Sequence, residues 1–342
     1  MRHGGESFGK NIRLDFSVNC NPLGLPEGVR RVLGENIEAF SSYPDMDSAD
    51  LKEALARKEG IAASQLVLGN GASELIMALA RVFSGKRVLL QCPIFSGYER
   101  AFRAAGCELS FASGGENFTI CKESFDRIEK EKPELFVLCS PSNPAGTQPS
   151  AEDTERLAES LKRAGCVLLS DEVFLDFVPE GKSLAVFFDK GGRLIVLRAF
   201  TKSYAMAGLR LGYALCSDTA MAEKLNAQLP EWNISVPAQL AGLQALEEEP
   251  YLVRSLELIG KEREWLSKEL DALGFCCTPS CANYILFKSD KELSEPLLDK
   301  GILIRRCDNY RGLPAEGYYR AAVRTREENM QLIEALREVI NG

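Results

Sequence analysis

Short apolar runs recur along the middle of the chain: QLVLG (65–69), RVLLQ (87–91), CELSFA (107–112), ELFVLCS (134–140), CVLLSDE (166–172), RLIVLR (193–198) and LRLGYALC (209–216). Amphipathic stretches lie between them. ASELIMALARVF (72–83) and SGYERAFRAAG (96–106) predict helices. AEDTERLAESLKRAG (151–165) carries Ala, Leu and Ala on one helical face, with charges elsewhere. Short apolar runs between amphipathic helices predict an α/β fold: a large domain with a mostly parallel, seven-stranded sheet buried between helices. Beyond about residue 235 the pattern changes. Long helical stretches lead to three shorter strands, NYILFK (283–288), ILIRRC (302–307) and YYRAAVR (318–324), and REENMQLIEALREVI closes the chain as a helix. That is the pattern of a smaller α+β domain. The segment through SSYP (41–44) fits neither pattern. The expected division is an arm at 1–13, a large domain at 42–235, and a small domain formed by 14–41 with 236–342.

Composition narrows the function. A net charge of −8 over 342 residues argues against non-specific nucleic-acid binding. Eleven cysteines, an odd number scattered along a long chain, predict free thiols and a reducing, cytoplasmic location. No apolar run is long enough to span a bilayer, and no signal peptide opens the sequence. Cys276, Cys277 and Cys281 lack paired zinc-ligand spacing, so no metal site is expected. His3 is the only histidine, which nearly excludes Ser-His, Cys-His and multi-histidine chemistry. Lysine becomes the leading candidate for a general base, because its pKa falls on desolvation.

An α/β sheet binds ligands outside the carboxyl ends of its strands, and the candidate polar residues gather there. Gly71, Ala72 and Ser73 follow one strand and open a helix, whose free N–H groups favour an anion. The alternative is an ordinary capped turn. Asn143 lies in SPSNPAG (140–146), stiffened by prolines on both sides, as an amide donor or an Asx turn. Asp171 ends an apolar strand, where a carboxylate needs a partner such as a protonated ring nitrogen, or else caps a helix. Phe95 could stack on an aromatic ring or pack in the core. The segment RAFTKSYAMAGLRLGY (198–213) sets Thr201, Lys202, Gly208 and Arg210 within a dozen positions of a strand end. Arg305 and Arg320 lie on short strands and could hold a doubly anionic substrate, or face solvent.

Together these residues resemble a fold-type-I pyridoxal phosphate enzyme of the aminotransferase superfamily, over almost the whole chain. The closer likeness is to the branch holding histidinol-phosphate aminotransferases and threonine-phosphate decarboxylases. HGG at His3, LDFSVNCNPLG (14–24), ILIRRCDNYRGL (302–313) and YYRAAVRT (318–325) lean toward the decarboxylases. The resemblance implies a pyridoxal 5′-phosphate cofactor joined to Lys202 as an imine. Asp171 would pair with the ring nitrogen, Asn143 would donate to the phenolic oxygen, and Phe95 would stack on the ring. Gly71, Ala72, Ser73, Thr201 and Arg210 would surround the cofactor phosphate. Tyr43 would reach the neighbouring subunit of a homodimer. Arg320 would hold the substrate carboxylate and Arg305 its phosphate, with His3, Gly4 and Asn19 as further substrate contacts. The activity so implied is decarboxylation of O-phospho-L-threonine to (R)-1-amino-2-propanol O-phosphate for cobalamin biosynthesis. An aminotransferase of a phosphorylated amino compound such as histidinol phosphate, or an O-phosphoserine decarboxylase, is the alternative. Two positions depart from the pattern. Phe174 stands where many relatives have a tyrosine donating to the phenolic oxygen, and Ala199 where relatives often carry a serine.

Overall fold

The structure is a computed structural model that describes residues 4–5, 9, 11–179, 181–186, 192–313 and 316–341. Its strands are β1 (Leu14–Asp15), β2 (Leu66–Gly69), β3 (Arg87–Gln91), β4 (Glu108–Ala112), β5 (Leu135–Cys139), β6 (Val167–Asp171), β7 (Leu194–Ala199), β8 (Gly212–Cys216), β9 (Cys276–Cys277), β10 (Tyr284–Lys288), β11 (Ile302–Leu303), β12 (Arg305–Arg306) and β13 (Tyr318–Ala322). The helices are α1 (Glu27–Glu35), α2 (Ala49–Glu59), α3 (Ala72–Val82), α4 (Ser96–Ala104), α5 (Lys122–Glu131), α6 (Ala151–Ala164), α7 (Phe200–Ser203), α8 (Thr219–Asn226), α9 (Val236–Leu246), α10 (Glu249–Ala272), α11 (Ser294–Asp299) and α12 (Arg326–Asn341).

The seven expected apolar runs form one sheet in the order β2-β8-β7-β6-β5-β3-β4. All pairings are parallel except those of β8, which runs against both β7 and β2. β7 returns as the antiparallel β8 through residues 200–211, which hold only the single turn of α7 and no helix that would carry the chain back across the sheet to a parallel start. The strand period of two sends successive residues into opposite cores. Leu66 and Leu68 join one buried cluster with Leu55, Phe125 and Leu157, while Val67 joins the other with Leu75, Leu79 and Phe102. Burial on both faces explains why these strands are apolar throughout rather than alternating. The intervening helices have local stops and starts. In α6, Ser150 Oγ accepts from the Asp153 N–H at 3.0 Å, and Gly165 ends the helix at φ 64.

A second sheet, β12-β13-β10-β9, is antiparallel, and β1 pairs in parallel with β11. ILIRRC, expected as one strand, divides at Ile304: its first half pairs with β1, its second with β13. A third cluster (Phe16, Ile285, Phe287, Ile304, Leu332, Leu336) packs this sheet under α10 and α12. α1 and α9 contribute Val29, Ala238, Ala241 and Ala245 to the core of the large sheet. α10 serves both, with Tyr251 in the large-sheet core and Ile259, Leu266 and Leu270 in the other. Among the described residues no helix is long and apolar enough to cross a membrane.

Candidate active site

A cavity of about 360 Å³ opens where the carboxyl ends of β5, β6 and β7 meet the β12–β13 pair. Gly4, Asn19, Ala72, Ser73, Phe95, Asn143, Asp171, Thr201, Lys202, Arg210, Arg305 and Arg320 all line it. Gly71 lies directly behind. Tyr43 does not line this cavity: it is 83% exposed, with its ring 5.2 Å from that of Trp232. His3 lies outside the described residues.

β7 delivers the lysine. Its last residue, Ala199, leads into the single turn of α7, which is pinned from both sides. Phe200 is buried and stacks on Tyr204 at 5.3 Å. Opposite, the Asn21 N–H donates to the Lys202 carbonyl at 3.0 Å, and Asn21 Nδ2 donates to the Ser203 carbonyl at 2.8 Å. The backbone is held while the side chain enters the cavity. Burial pulls the Lys202 ammonium below the ordinary lysine range, and the charges of Arg320 and Arg210 push the same way. A lysine so placed is a better nucleophile and base near neutral pH.

The start of α3 borders the cavity at Ala72 and Ser73. Gly71, at φ 74, brings no side chain to cap the helix. The positive φ favours glycine, and a Cβ there would stand 2.4 Å from Arg210 Nη2, so a side chain would displace the guanidinium. Arg210 itself has φ 59, a conformation that costs a non-glycine residue about 1–3 kcal/mol. Its Nη1 donates to the Ala207 carbonyl at 3.2 Å, which holds the guanidinium against the helix start.

In the middle, Asp171 is enclosed with no ion-pair partner among the described residues. Its Oδ2 accepts from the Tyr98 hydroxyl at 2.7 Å and lies 3.7 Å from Cys139 Sγ, and its Oδ1 accepts from the Val173 N–H at 3.1 Å. Burial pushes the Asp171 carboxyl up, opposed chiefly by Tyr98. The Val173 bond closes a local turn rather than capping a helix, since the next helical turn, Leu175–Phe177, starts from Phe174. Asn143 Oδ1 accepts from Arg320 Nη1 at 2.5 Å and from the Tyr310 hydroxyl at 3.2 Å. Both partners are donors, so the carbonyl oxygen must face them, leaving the NH₂ group as a donor. Phe95 lies across Gly97, where a Cβ would come within 2.3 Å of its ring.

At the far end Arg305 and Arg320 are direct partners in the β12–β13 ladder. Arg305 Nη2 donates to Asn309 Oδ1 at 2.7 Å, and Arg320 Nη2 to the Ser17 carbonyl at 2.8 Å. Asn19 Oδ1 and Arg320 Nε are buried with no hydrogen-bond partner among the described residues. Gly4 presses on the same segment, since a Cβ there would stand 2.1 Å from the Ser17 carbonyl oxygen. Sequence reasoning missed Tyr98, Tyr310 and Ser17. The first is one helical turn beyond Phe95, a spacing that could have flagged it.

The sequence pattern of the family described as Aminotransferase class I and II matches residues 11–336. The chain is 35% identical over 335 residues to the threonine-phosphate decarboxylase of Salmonella typhimurium, spanning 96% of this chain and 92% of the relative. It is 33% identical over 342 residues to a histidinol-phosphate aminotransferase of Caldanaerobacter subterraneus, spanning 97% and 95%. The solved histidinol-phosphate aminotransferase of Clostridium acetobutylicum superposes with a TM-score of 0.88 at 29% identity, covering 96% of this chain and 99% of that one.

Proposed function

The chain belongs to the class I and II aminotransferase family, enzymes of pyridoxal 5′-phosphate, and from that premise we propose that it decarboxylates O-phospho-L-threonine to (R)-1-amino-2-propanol O-phosphate. The cavity suits that cofactor. Asp171 is an enclosed carboxylate with no ion-pair partner among the described residues, as a site for a protonated ring nitrogen requires. When bound, pyridoxal phosphate supplies an electron-accepting ring that takes up the electrons of a bond broken at the substrate α-carbon. Asp171 would hold that ring nitrogen protonated, the Asn143 NH₂ would donate to the phenolic oxygen, and Phe95 would cover the ring. The N–H groups of Ala72 and Ser73 behind Gly71, with Thr201 and Arg210, hold the cofactor phosphate.

The observation that carries the reading is the arrangement of charge. Among the described lining residues four basic side chains, Lys202, Arg210, Arg305 and Arg320, accompany one carboxylate, Asp171. Arg210 belongs to the start of α3, whereas Arg305 and Arg320 come from the other sheet, and Lys202 feels both Arg210 and Arg320. One group serves the cofactor phosphate. The other suits a substrate with two anionic groups: Arg320 for the carboxylate and Arg305 for the phosphate, with Gly4 and Asn19 beside them and His3 as a further contact. These residues orient the carboxylate so that its bond to the α-carbon breaks and carbon dioxide leaves. Lys202, whose ammonium form burial disfavours, would hold the cofactor and would be placed to give a proton to the substrate α-carbon. The product would enter cobalamin synthesis. Eleven free thiols support a cytoplasmic enzyme. The exposed Ile37, Phe40, Tyr43, Met46 and Trp232 support a homodimer in which Tyr43 serves the partner's cofactor.

The test is incubation of the cofactor-loaded enzyme with O-phospho-L-threonine and no keto acid. Carbon dioxide and phosphorylated amine released over many turnovers support the decarboxylase. The likeness to histidinol-phosphate aminotransferases favours a second reading, amino transfer from a phosphorylated amine. Turnover only after 2-oxoglutarate is added would establish that one instead.

A further inference from the structure

We propose that Tyr98 is a positioning residue for the cofactor: its hydroxyl fixes the Asp171 carboxylate in the orientation that receives the protonated ring nitrogen. The proposal rests on the reading of Asp171 given above. Tyr98 is 0% exposed, and its hydroxyl donates to Asp171 Oδ2 at 2.7 Å. It sits in the first turn of α4, where its own N–H bonds the Phe95 carbonyl at 3.1 Å. Its ring meets that of Phe95 edge-on at 6.4 Å and 87°. One helical turn therefore carries both the ring that would cover the cofactor and the hydroxyl that orients its counter-ion.

The groups around Asp171 leave this task to Tyr98. Cys139 from β5 offers a thiol at 3.7 Å, a weak donor, and the Val173 N–H holds the other oxygen at 3.1 Å. Among the described residues no cation stands within ion-pair distance. Without the hydroxyl, burial would favour the protonated, neutral carboxyl, and its charge toward the ring nitrogen would be lost. Burial and the adjacent Asp171 push the Tyr98 phenol well above its ordinary value, so its proton stays in place as the donor.

The experiment measures the dissociation constant of pyridoxal phosphate and the pH midpoint of its visible absorption change in wild type, Tyr98→Phe, Asp171→Asn and the double variant. Tyr98→Phe should weaken cofactor binding by ~10- to 100-fold, the range for a hydrogen bond to a charged group. Its midpoint should move toward that of Asp171→Asn, and the double variant should match Asp171→Asn alone. Tyr98→His, which keeps a ring-borne N–H, should recover part of the loss. An unchanged Tyr98→Phe beside an altered Asp171→Asn overturns the proposal and leaves the reading of Asp171 standing. Additive losses in the double variant also overturn it, since Tyr98 would then act through packing. An unaltered Asp171→Asn removes the reading of Asp171, and the proposal with it. Should Tyr98→Phe not fold, Tyr98→His is set against wild type. An unmoved midpoint, despite a donor of different acidity, overturns the proposal.

Discussion

Arg305 and Arg320 face each other directly across an antiparallel ladder, one 2% and the other 5% exposed. Like charges opposed on one sheet face repel, and burial raises the cost. Arg320 meets only neutral acceptors among the described residues, Asn143 Oδ1 and the Ser17 carbonyl. On the proposed reading, an anionic substrate would relieve this arrangement. Arg320→Ala should lower kcat/KM for O-phospho-L-threonine by ~30- to 5,000-fold, the equivalent of truncating one partner of a buried charge pair at about 2–5 kcal/mol. Arg320→Lys should recover little of it, because one ammonium cannot serve Asn143, Ser17 and a carboxylate together. Steady-state kinetics checks both.

Lys202 supplies a pH prediction. Burial, with Arg320 and Arg210 beside it, disfavours the ammonium form, so the amine is neutral at lower pH than in an ordinary lysine. Attachment of pyridoxal phosphate to the apoenzyme should therefore speed up as pH rises and level off below the ordinary lysine value of 10.5. Stopped-flow absorbance across pH measures this. Arg320→Met, which removes one repelling charge, should move the plateau to higher pH.

Phe174 lies 4.9 Å from Tyr284, ring to ring, at the cavity wall. It carries no hydroxyl, so on the proposed reading Asn143 would be the donor to the phenolic oxygen. Phe174→Tyr should lower the pH midpoint of the bound-cofactor absorption change by stabilising the phenolate. A titration that shows no fall would remove this account of Phe174.

Ile37, Phe40, Tyr43, Met46 and Trp232 are exposed, and the rings of Tyr43 and Trp232 meet at 5.2 Å. Sedimentation should find a dimer. Phe40→Asp should dissociate it, whereas Tyr43→Phe should leave the dimer intact and weaken cofactor retention by ~5- to 50-fold, the loss expected for one hydrogen bond to phosphate.

Behind the site, Arg198 bridges Glu172 at 3.0 Å and Glu59 at 3.5 Å, and Glu59 also accepts from the Tyr213 hydroxyl at 2.7 Å. Arg198→Ala would strand two enclosed carboxylates. It should destabilise the apoprotein by about 3–5 kcal/mol in urea unfolding, whereas a surface pair such as Arg57–Glu53 should cost under about 1 kcal/mol.

The sheet strands were legible because each is buried on both faces, which writes a continuous apolar run into a short local stretch. Elements lacking that signature were harder. α5 is the charged segment KESFDRIEKE, with Phe125 and Ile128 as its main inward apolar residues, and no expectation covered it. ILIRRC looked like one strand because its apolar and basic residues are contiguous. Only its two partners, β1 and β13, divide it.

The sequence by itself determined the fold class, the strand ends where chemistry gathers, and the lysine segment from Thr201 to Arg210. These depend on hydrophobic period, glycine and proline, and short spacings, all properties of neighbouring residues. The tertiary structure alone decided that Arg305 opposes Arg320, that Asn143 turns its carbonyl toward Arg320 and Tyr310, and that Tyr98 meets Asp171. Each of these pairs is separated by 15 to 177 residues. Their meeting depends on strand pairing and on helices docking against the sheet. No local pattern encodes which buried donor will find which buried acceptor once water is excluded.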